Sequence, residues 1–364
     1  MPRTQSPLWL ALAVGALAAA CAQDAAPSTS PSLVADRQLD SHDRRDDDRP
    51  VTYAVIGDVP YTPFASPTDR FPTLVSAINA DPAVERVIHV GDIKSGSSVC
   101  SDDYFQGMAT AFTAFTDPLV YAIGDNEWTD CHRANNGGYN PLDRLAKIRE
   151  LFFAHPGFTL GGRQARIRAQ QGYSENQQWQ AADVVFSVFH IIGSNNGRAP
   201  WFGDRVVPPG PGETPAETAA REAEWAARDK ANLRWLDRTF ETAGEEHAKG
   251  VVLFFQADMW NQPDRDAGVS FTAFTGFVTR LSELARRFRR PVLIVAGDFH
   301  DYRVDVGVPW FNTFYGVTPP ANVTQIIVDR SIEATTDASP IDYLRLKIDP
   351  RSPAVFSWEQ VNVP

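Results

Sequence analysis

The sequence predicts an α/β protein built on a parallel sheet that is covered by helices on both faces. Two observations carry this expectation. Short apolar runs that fit buried strands alternate with helix-length segments, and four of the runs end in the same dipeptide, Gly-Asp. The four are YAVIG (53–57) before Asp58, RVIHVG (86–91) before Asp92, LVYAIG (119–124) before Asp125 and VLIVAG (292–297) before Asp298. A fifth run, VVLFF (251–255), ends in Gln256. The expected helices between them cover 69–80, 102–115, 141–153, 217–241 and 270–289. Further strands are expected at 183–192, 322–329, 343–349 and 354–361, and these suggest a second sheet packed on the first. No internal duplication is visible, and the Pro/Gly-rich stretch 193–216 reads as a surface loop.

Composition narrows the class. The chain carries 45 acidic against 34 basic residues, a formal charge of -11. Such a surface repels nucleic-acid backbones, so no nucleic-acid partner is expected. Arg3 followed by the apolar run 8–20, which ends in small residues, reads as an export signal too short to span a membrane comfortably. Small residues directly before Cys21 resemble a lipoprotein signal, with Cys21 carrying the lipid; ordinary cleavage near Ala20 or Ala22 is the alternative. Residues 1–21 are therefore read as a signal, 22–50 as a flexible tether and 51–364 as one domain. The expected location is periplasmic or membrane-anchored, with membrane contact only through Cys21. Cys100 and Cys131 remain, and an even pair in an exported protein points to a disulfide, against the alternative of two free thiols.

A single Gly-Asp after a strand is an ordinary turn or helix cap. Four after four buried runs are harder to explain that way, because ligands of open α/β sheets sit beyond the carboxyl ends of the strands. Four carboxylates in one crevice raise each other's pKa, and divalent cations would relieve that cost. Carboxylate oxygen suits hard ions such as Mg²⁺, Mn²⁺ and Ca²⁺.

In order and spacing, IGDVPY (56–61), HVGDIKSG (89–96), IGDNEW (123–128), FFQADMW (254–260) and AGDFHDY (296–302) resemble the five motifs of calcineurin-like metallophosphoesterases, the group that includes purple acid phosphatases. The resemblance runs from Val51 to about Asp305. It implies a four-layer α/β/β/α double β-sandwich flanked by helices. It also implies two divalent ions and hydrolysis of a phosphate mono- or diester on a small phosphorylated substrate. By the same resemblance Asp58, Asp92 and His300 match metal ligands, with Asp92 bridging. Asp125 stands in place of a metal-binding Asn, and Asp298 in place of a His. Glu127 matches the acidic residue two places after Asp125. Pro60 replaces a His ligand, with Tyr61 beside it as a substitute. Asn126 occupies the position of the usual proton donor. Gln256 stands where a His belongs, and Asp258, two residues on, is kept beside it as a candidate. With His300 the one imidazole placed in the shell, the donors are mostly oxygen, which favours Mn, Mg, Fe or Ca over Zn.

His132 and Arg133 follow in NEWTDCHR, where a Cys100–Cys131 bridge would bring them to the crevice: His132 as general acid, Arg133 as phosphate clamp. Packing beside a structural disulfide is the equal alternative for both. His89 and His190, each inside a strand, read as core histidines. Asn195 and Asn196 read as a turn, with substrate contact as the alternative, and Trp225 and Trp235 read as packing. Three functions stay open. The first is a metal-dependent phosphohydrolase, the second a catalytically degenerate binding or scaffold protein of the same fold, and the third a calcium-binding structural lipoprotein.

Overall fold

The computed structural model of the chain describes residues 49–61, 69–202, 212–330 and 341–363. The expected signal, Cys21 and nearly all of the expected tether lie outside them, as does part of the 193–216 loop. In chain order the strands are β1 (Val51–Ile56), β2 (Arg86–His89), β3 (Leu119–Tyr121), β4 (Arg168–Gln170), β5 (Tyr173–Ala181), β6 (Val184–Val188), β7 (Gly250–Phe254), β8 (Val292–Ala296), β9 (Arg303–Val306), β10 (Val323–Ile327), β11 (Ile341–Ile348) and β12 (Phe356–Val363). The helices are α1 (Phe71–Ala80), α2 (Asp102–Phe112), α3 (Pro141–Phe152), the single turn α4 (Gly193–Asn196), α5 (Pro215–Glu245), α6 (Gln262–Asp266), α7 (Thr275–Phe288) and α8 (Trp310–Tyr315).

Two sheets form. One has the order β12-β11-β1-β2-β3, the other β4-β5-β6-β7-β8-β10-β9. β1, β2 and β3 run parallel, as do β6, β7, β8 and β10, and the remaining strands add antiparallel edges. Side chains alternate across each strand, so Tyr53 and Val55 face one way while Ala54 and Ile56 face the other. The first pair joins Ile88, Val120, Phe186, Phe254 and Val295 in a core between the sheets. Ala54 and Ile56 instead meet Leu74 of α1, Phe105 of α2 and Ile148 of α3. On the far side Val251, Leu253 and Ile294 meet Leu236 of α5 and Phe277 and Leu281 of α7. The layers are therefore helix, sheet, sheet, helix, as expected.

The expected division of strands is corrected. The second sheet does not collect the strands without site motifs. β7 and β8, which lead to Gln256 and Asp298, lie in the second sheet, while β11 and β12 complete the first. A parallel strand buried on both faces reads as the same apolar run in either sheet, so the sequence does not assign it to one. β5 was not expected as a strand because YSENQQWQA has no apolar pattern. Asn176, Gln177 and Gln178 are buried there, and Asn176 and Gln178 are hydrogen-bonded to Asn232 and Thr239 of α5. Helix starts follow their local signals. Ser101 caps α2 by accepting from Tyr104 N at 3.1 Å, and Thr214 and Glu217 form a capping box ahead of Pro215 on α5. Among the described residues no helix is long and apolar enough to cross a membrane.

Trp179 anchors the layer between the sheets. Its ring stacks on Phe186 at 5.1 Å and Phe254 at 6.0 Å, and its Nε1 donates to the Tyr53 hydroxyl at 3.1 Å. Trp179→Ala is expected to lower stability by about 3–5 kcal/mol, read from the denaturant midpoint at unchanged slope.

Candidate metal centre

Each Gly-Asp pair leaves the carboxyl end of its strand, and the glycine is needed because another element packs on its Cα. A Cβ on Gly57 would lie 2.6 Å from Val90 Cγ2, and one on Gly91 would lie 2.6 Å from Gln256 Cβ. A Cβ on Gly124 would strike the Asp92 carboxylate and amide, and one on Gly297 the Asp58 carboxylate. The aspartates then turn sharply. Asp58 (φ 53°), Asp92 (φ 56°), Asp298 (φ 72°) and His300 (φ 71°) are in the left-handed region, a strained backbone of the kind found at functional sites.

These turns bring the side chains together. One ligand atom each from Asp58, Asp92 and His300 lie within 4.8 Å of one another, and so do one each from Asp92, Asp125 and Asp298. Asp92 belongs to both groups. His300 Nε2 is 3.2 Å from Asp58 Oδ1. The Tyr61 hydroxyl donates to Asp58 Oδ1 at 3.1 Å and lies 3.0 Å from His300 Nε2.

Amides brace the carboxylates. Asn126 Nδ2 donates to Asp92 Oδ2 at 2.9 Å, and Asn126 N donates to Asp92 Oδ1 at 3.2 Å. Gln256 Nε2 donates to Asp92 Oδ2 and Asp125 Oδ1, each at 3.1 Å. Its Oε1 accepts from Gly193 N at 2.6 Å, which sets the amide's orientation. Gln256 thus turns its amide nitrogen toward Asp92 and Asp125 and its oxygen toward Gly193. Asp258, the other candidate on this loop, is buried beside the centre. Its carboxylate accepts from Arg303 at 3.0 Å on both oxygens and from Gln325 at 3.3 Å, and only its backbone N–H reaches the centre, at Asp298 Oδ2.

The electrostatics follow from burial. Burial comes first in pushing the Asp92 and Asp298 carboxyls well above their ordinary range, and the neighbouring aspartates, Asp125 foremost, add to it. Burial also pushes Glu127 up to about 7 against the opposing bonds from Tyr121 (2.6 Å) and Gly124 N (2.6 Å). Glu127 thus holds the loop from behind. Burial opposes charge on His300, but the Asp58 carboxylate more than offsets it and the net shift is upward. Tyr61 is raised well above its usual value, by burial first and Asp58 second, and stays a phenol.

The disulfide Cys100–Cys131 is present and ties the start of α2 to the loop after β3. Beyond it, Arg133 pairs with Asp130 at 2.6 Å and is about a third exposed. Its Nη1 and Asn126 Oδ1 both flank Gly96, 3.6 and 3.0 Å from where a Cβ there would stand, so Arg133 lies beside the centre. His132 is buried against Phe202, whose backbone N–H donates to its Nδ1 at 2.8 Å. His89 accepts from Gly91 N and donates to Val59 O at 2.7 Å, and His190 bonds Glu175 at 3.1 Å; both are buried, as expected.

Three contributors escaped sequence reasoning. Gly193 packs its Cα against Asp125 and Asp298; a Cβ there would lie 2.5 Å from Asp125 Oδ2. The Ser194 hydroxyl is 2.9 Å from Asp125 Oδ2 and 2.8 Å from Asp130 Oδ1. Asp130 itself is buried and pushed up to about 7 by that burial. Ser194, Asn195 and Asn196 are left-handed in succession (φ 51°, 55° and 55°), which a GSNN turn permits but does not announce. Both asparagines are structural: Asn195 Oδ1 accepts from Ala273 N, and Asn196 Oδ1 from Arg228.

No protein-family model matches the chain, and no curated protein does either. Among solved structures it is similar to a purple acid phosphatase from yellow lupin (Lupinus luteus) seeds, at 10% identity and a TM-score of 0.44, over 86% of this chain and 54% of that one. The chain thus spans about half the length of the lupin protein. It is also similar to a Plasmodium protein described as the anchor in the inner membrane complex, at 9% identity and a TM-score of 0.42, over 86% and 89%. A third similarity is to a predicted phosphoesterase from Streptococcus pneumoniae, at 6% identity and a TM-score of 0.29, over 86% and 99%.

The cluster has a pH signature. A carboxyl whose folded pKa is raised favours folding below its unfolded value near 4 and loses that contribution as pH rises through the folded value. Metal-free protein should therefore lose stability from about pH 4 upward, through the values near 7 of Glu127 and Asp130. Mn²⁺ should raise the melting temperature, and raise it more at pH 8 than at pH 5, by scanning fluorimetry. A metal effect independent of pH would contradict this.

Proposed function

We propose that the chain is a metal-dependent phosphoesterase working outside the cytoplasm. The observation that carries this is the pair of ligand groups that share Asp92. The donors fit two hard divalent ions. Asp58, Asp92 and His300 would hold one, and Asp92, Asp125 and Asp298 the other, with Mn²⁺, Mg²⁺, Fe or Ca²⁺ suited better than Zn²⁺ to a shell that is mostly oxygen. Ions so held would supply Lewis acidity toward a phosphoryl oxygen and would lower the pKa of water toward neutral pH.

The chain's own residues would do the rest. Asn126 and Gln256 keep the shared carboxylate aimed inward. Arg133, braced by Asp130 and partly exposed, would take a phosphate oxygen pair with its planar fork. The carboxamide of Asn126 can bond phosphate but cannot protonate a leaving group. His132, turned to the Phe202 backbone, is a weaker candidate for general acid than its sequence position suggests. Esters with acidic leaving groups, which need no proton, should therefore be the better substrates. The disulfide fits an oxidising compartment, and Cys21 remains the proposed lipid attachment point. The amide donors at Asn126 and Gln256 favour a second reading, in which the cluster binds a metal and the protein serves as a binding or scaffold module.

The test is hydrolysis of p-nitrophenyl phosphate and bis-p-nitrophenyl phosphate with added Mn²⁺ or Mg²⁺, alongside elemental analysis. Wild type should turn over, with p-nitrophenyl esters well ahead of alkyl esters. Asp92→Asn should lose activity by at least about a hundredfold. Arg133→Ala should lower kcat/KM by roughly ten- to a hundredfold, as expected for a lost charged hydrogen bond. Bound metal with no turnover on either ester would move the assignment to the second reading.

A further inference from the structure

Away from the metal centre the molecule carries a second concentration of charge, of opposite sign. In a chain of net charge -11, five arginines and one glutamate fall between Gly276 and Pro291. Two of the arginines have structural work. Arg280 pairs with Asp237 at 2.6 Å and with Glu283 at 2.8 Å, and Arg290 donates to the carbonyls of His247 and Ala248 at the end of α5. Arg286, Arg287 and Arg289 are exposed, and no carboxylate within 4.0 Å pairs with any of them among the described residues. The α7 dipole favours cations in its last turn, which accounts for Arg286 and Arg287. It does not account for Arg289, which lies past the helix in the left-handed region. Beside them a groove of about 490 Å³ opens between α5 and α7; Phe240, Leu284 and Phe288 form its apolar floor, Arg287 and Arg290 one rim, and Asp237, paired with Arg280, and Glu241 lie on the α5 side.

Topology fixes which end of the domain this is. α7 leads into β8, whose far end delivers Asp298, so the arginines sit at the end of the sandwich opposite the metal centre. The chain also enters there. Val51, the first residue of β1, pairs with Ile348, and Ile348 pairs with Phe356. A Cβ on Gly250 would lie 2.6 Å from the Phe356 ring and 3.2 Å from Pro291 O. The entry of β1 and the Arg289–Pro291 corner therefore belong to one end, and Lys249 adds another exposed cation to it.

From this charge and placement we infer that the arginine corner is a docking surface for the anionic phospholipid headgroups of a bilayer. The guanidinium groups meet phosphates, and the apolar floor of the groove accepts glycerol and upper acyl segments. The acidic crevice, repelled by the same surface, faces away into solvent. This surface acts independently of hydrolysis, so loss of catalysis would leave it standing.

The test is co-sedimentation of the full chain with vesicles of phosphatidylcholine containing about a third phosphatidylglycerol, against phosphatidylcholine alone. Wild type is compared with R286Q/R287Q/R289Q, so that any contribution of residues 8–20 is common to both. At 50 mM salt the wild type should partition onto anionic vesicles on the order of a hundredfold more strongly than the variant. The difference should vanish at 0.5 M salt and be absent on neutral vesicles. R286K/R287K/R289K should keep the binding, which separates lost charge from lost fold. Equal partition of wild type and the glutamine variant would overturn the proposal, as would loss of binding in the lysine variant. Retention on immobilised polyglutamate but not on anionic vesicles would also overturn it, in favour of an acidic protein partner.

Discussion

Like charges repel, and the architecture of this protein is arranged around holding several of them at one point. Asp58, Asp92, Asp125 and Asp298 come from two different sheets, yet their carboxylates gather at one place, the first three of them buried. Close approach of this kind requires bare backbone at the crossing points. Gly124 and Gly297 give the Asp92 and Asp58 carboxylates a surface to lie against, and Gly193 does the same for Asp125. Neutral donors then substitute for the charge that a cation would bring: Asn126, Gln256, Tyr61 and several backbone amides. The layered fold is what allows it, since strands of both sheets end at the same edge.

Much of this was legible from sequence. Runs such as RVIHVG and VLIVAG announce strands, and the aspartate that follows each one announces a loop at the carboxyl end. The four-layer arrangement came from the resemblance, and the helices fell within a few residues of their expected spans. Sheet membership was hidden, because burial on both faces erases the alternation that would mark each strand's neighbours. β5 was hidden for the opposite reason: its buried Asn176 and Gln178 are satisfied by Asn232 and Thr239 of α5, a partner far along the chain.

The site shows the same division. Position at a strand end predicted that Asp58, Asp92, Asp125 and Asp298 would gather, but not which oxygen or nitrogen each neighbour would present. Gln256 became a donor because Gly193 N claims its oxygen, and Asp258 was drawn off by Arg303. Neither partner is near in sequence. Ser194 and Asp130 carry no local motif either; they matter because a left-handed turn and a short helical loop place them behind Asp125.

The pairing of the first strand with the last hairpin has a consequence for biogenesis. β1 has β2 on one side, but its other edge is filled only by β11, which β12 then covers. That half of the sandwich cannot close until nearly the whole polypeptide has emerged, since contacts of such long range must wait for the tail of the chain. Until β11 arrives, β1 keeps one edge unpaired, and the burial of that side of the sheet is a late event in folding.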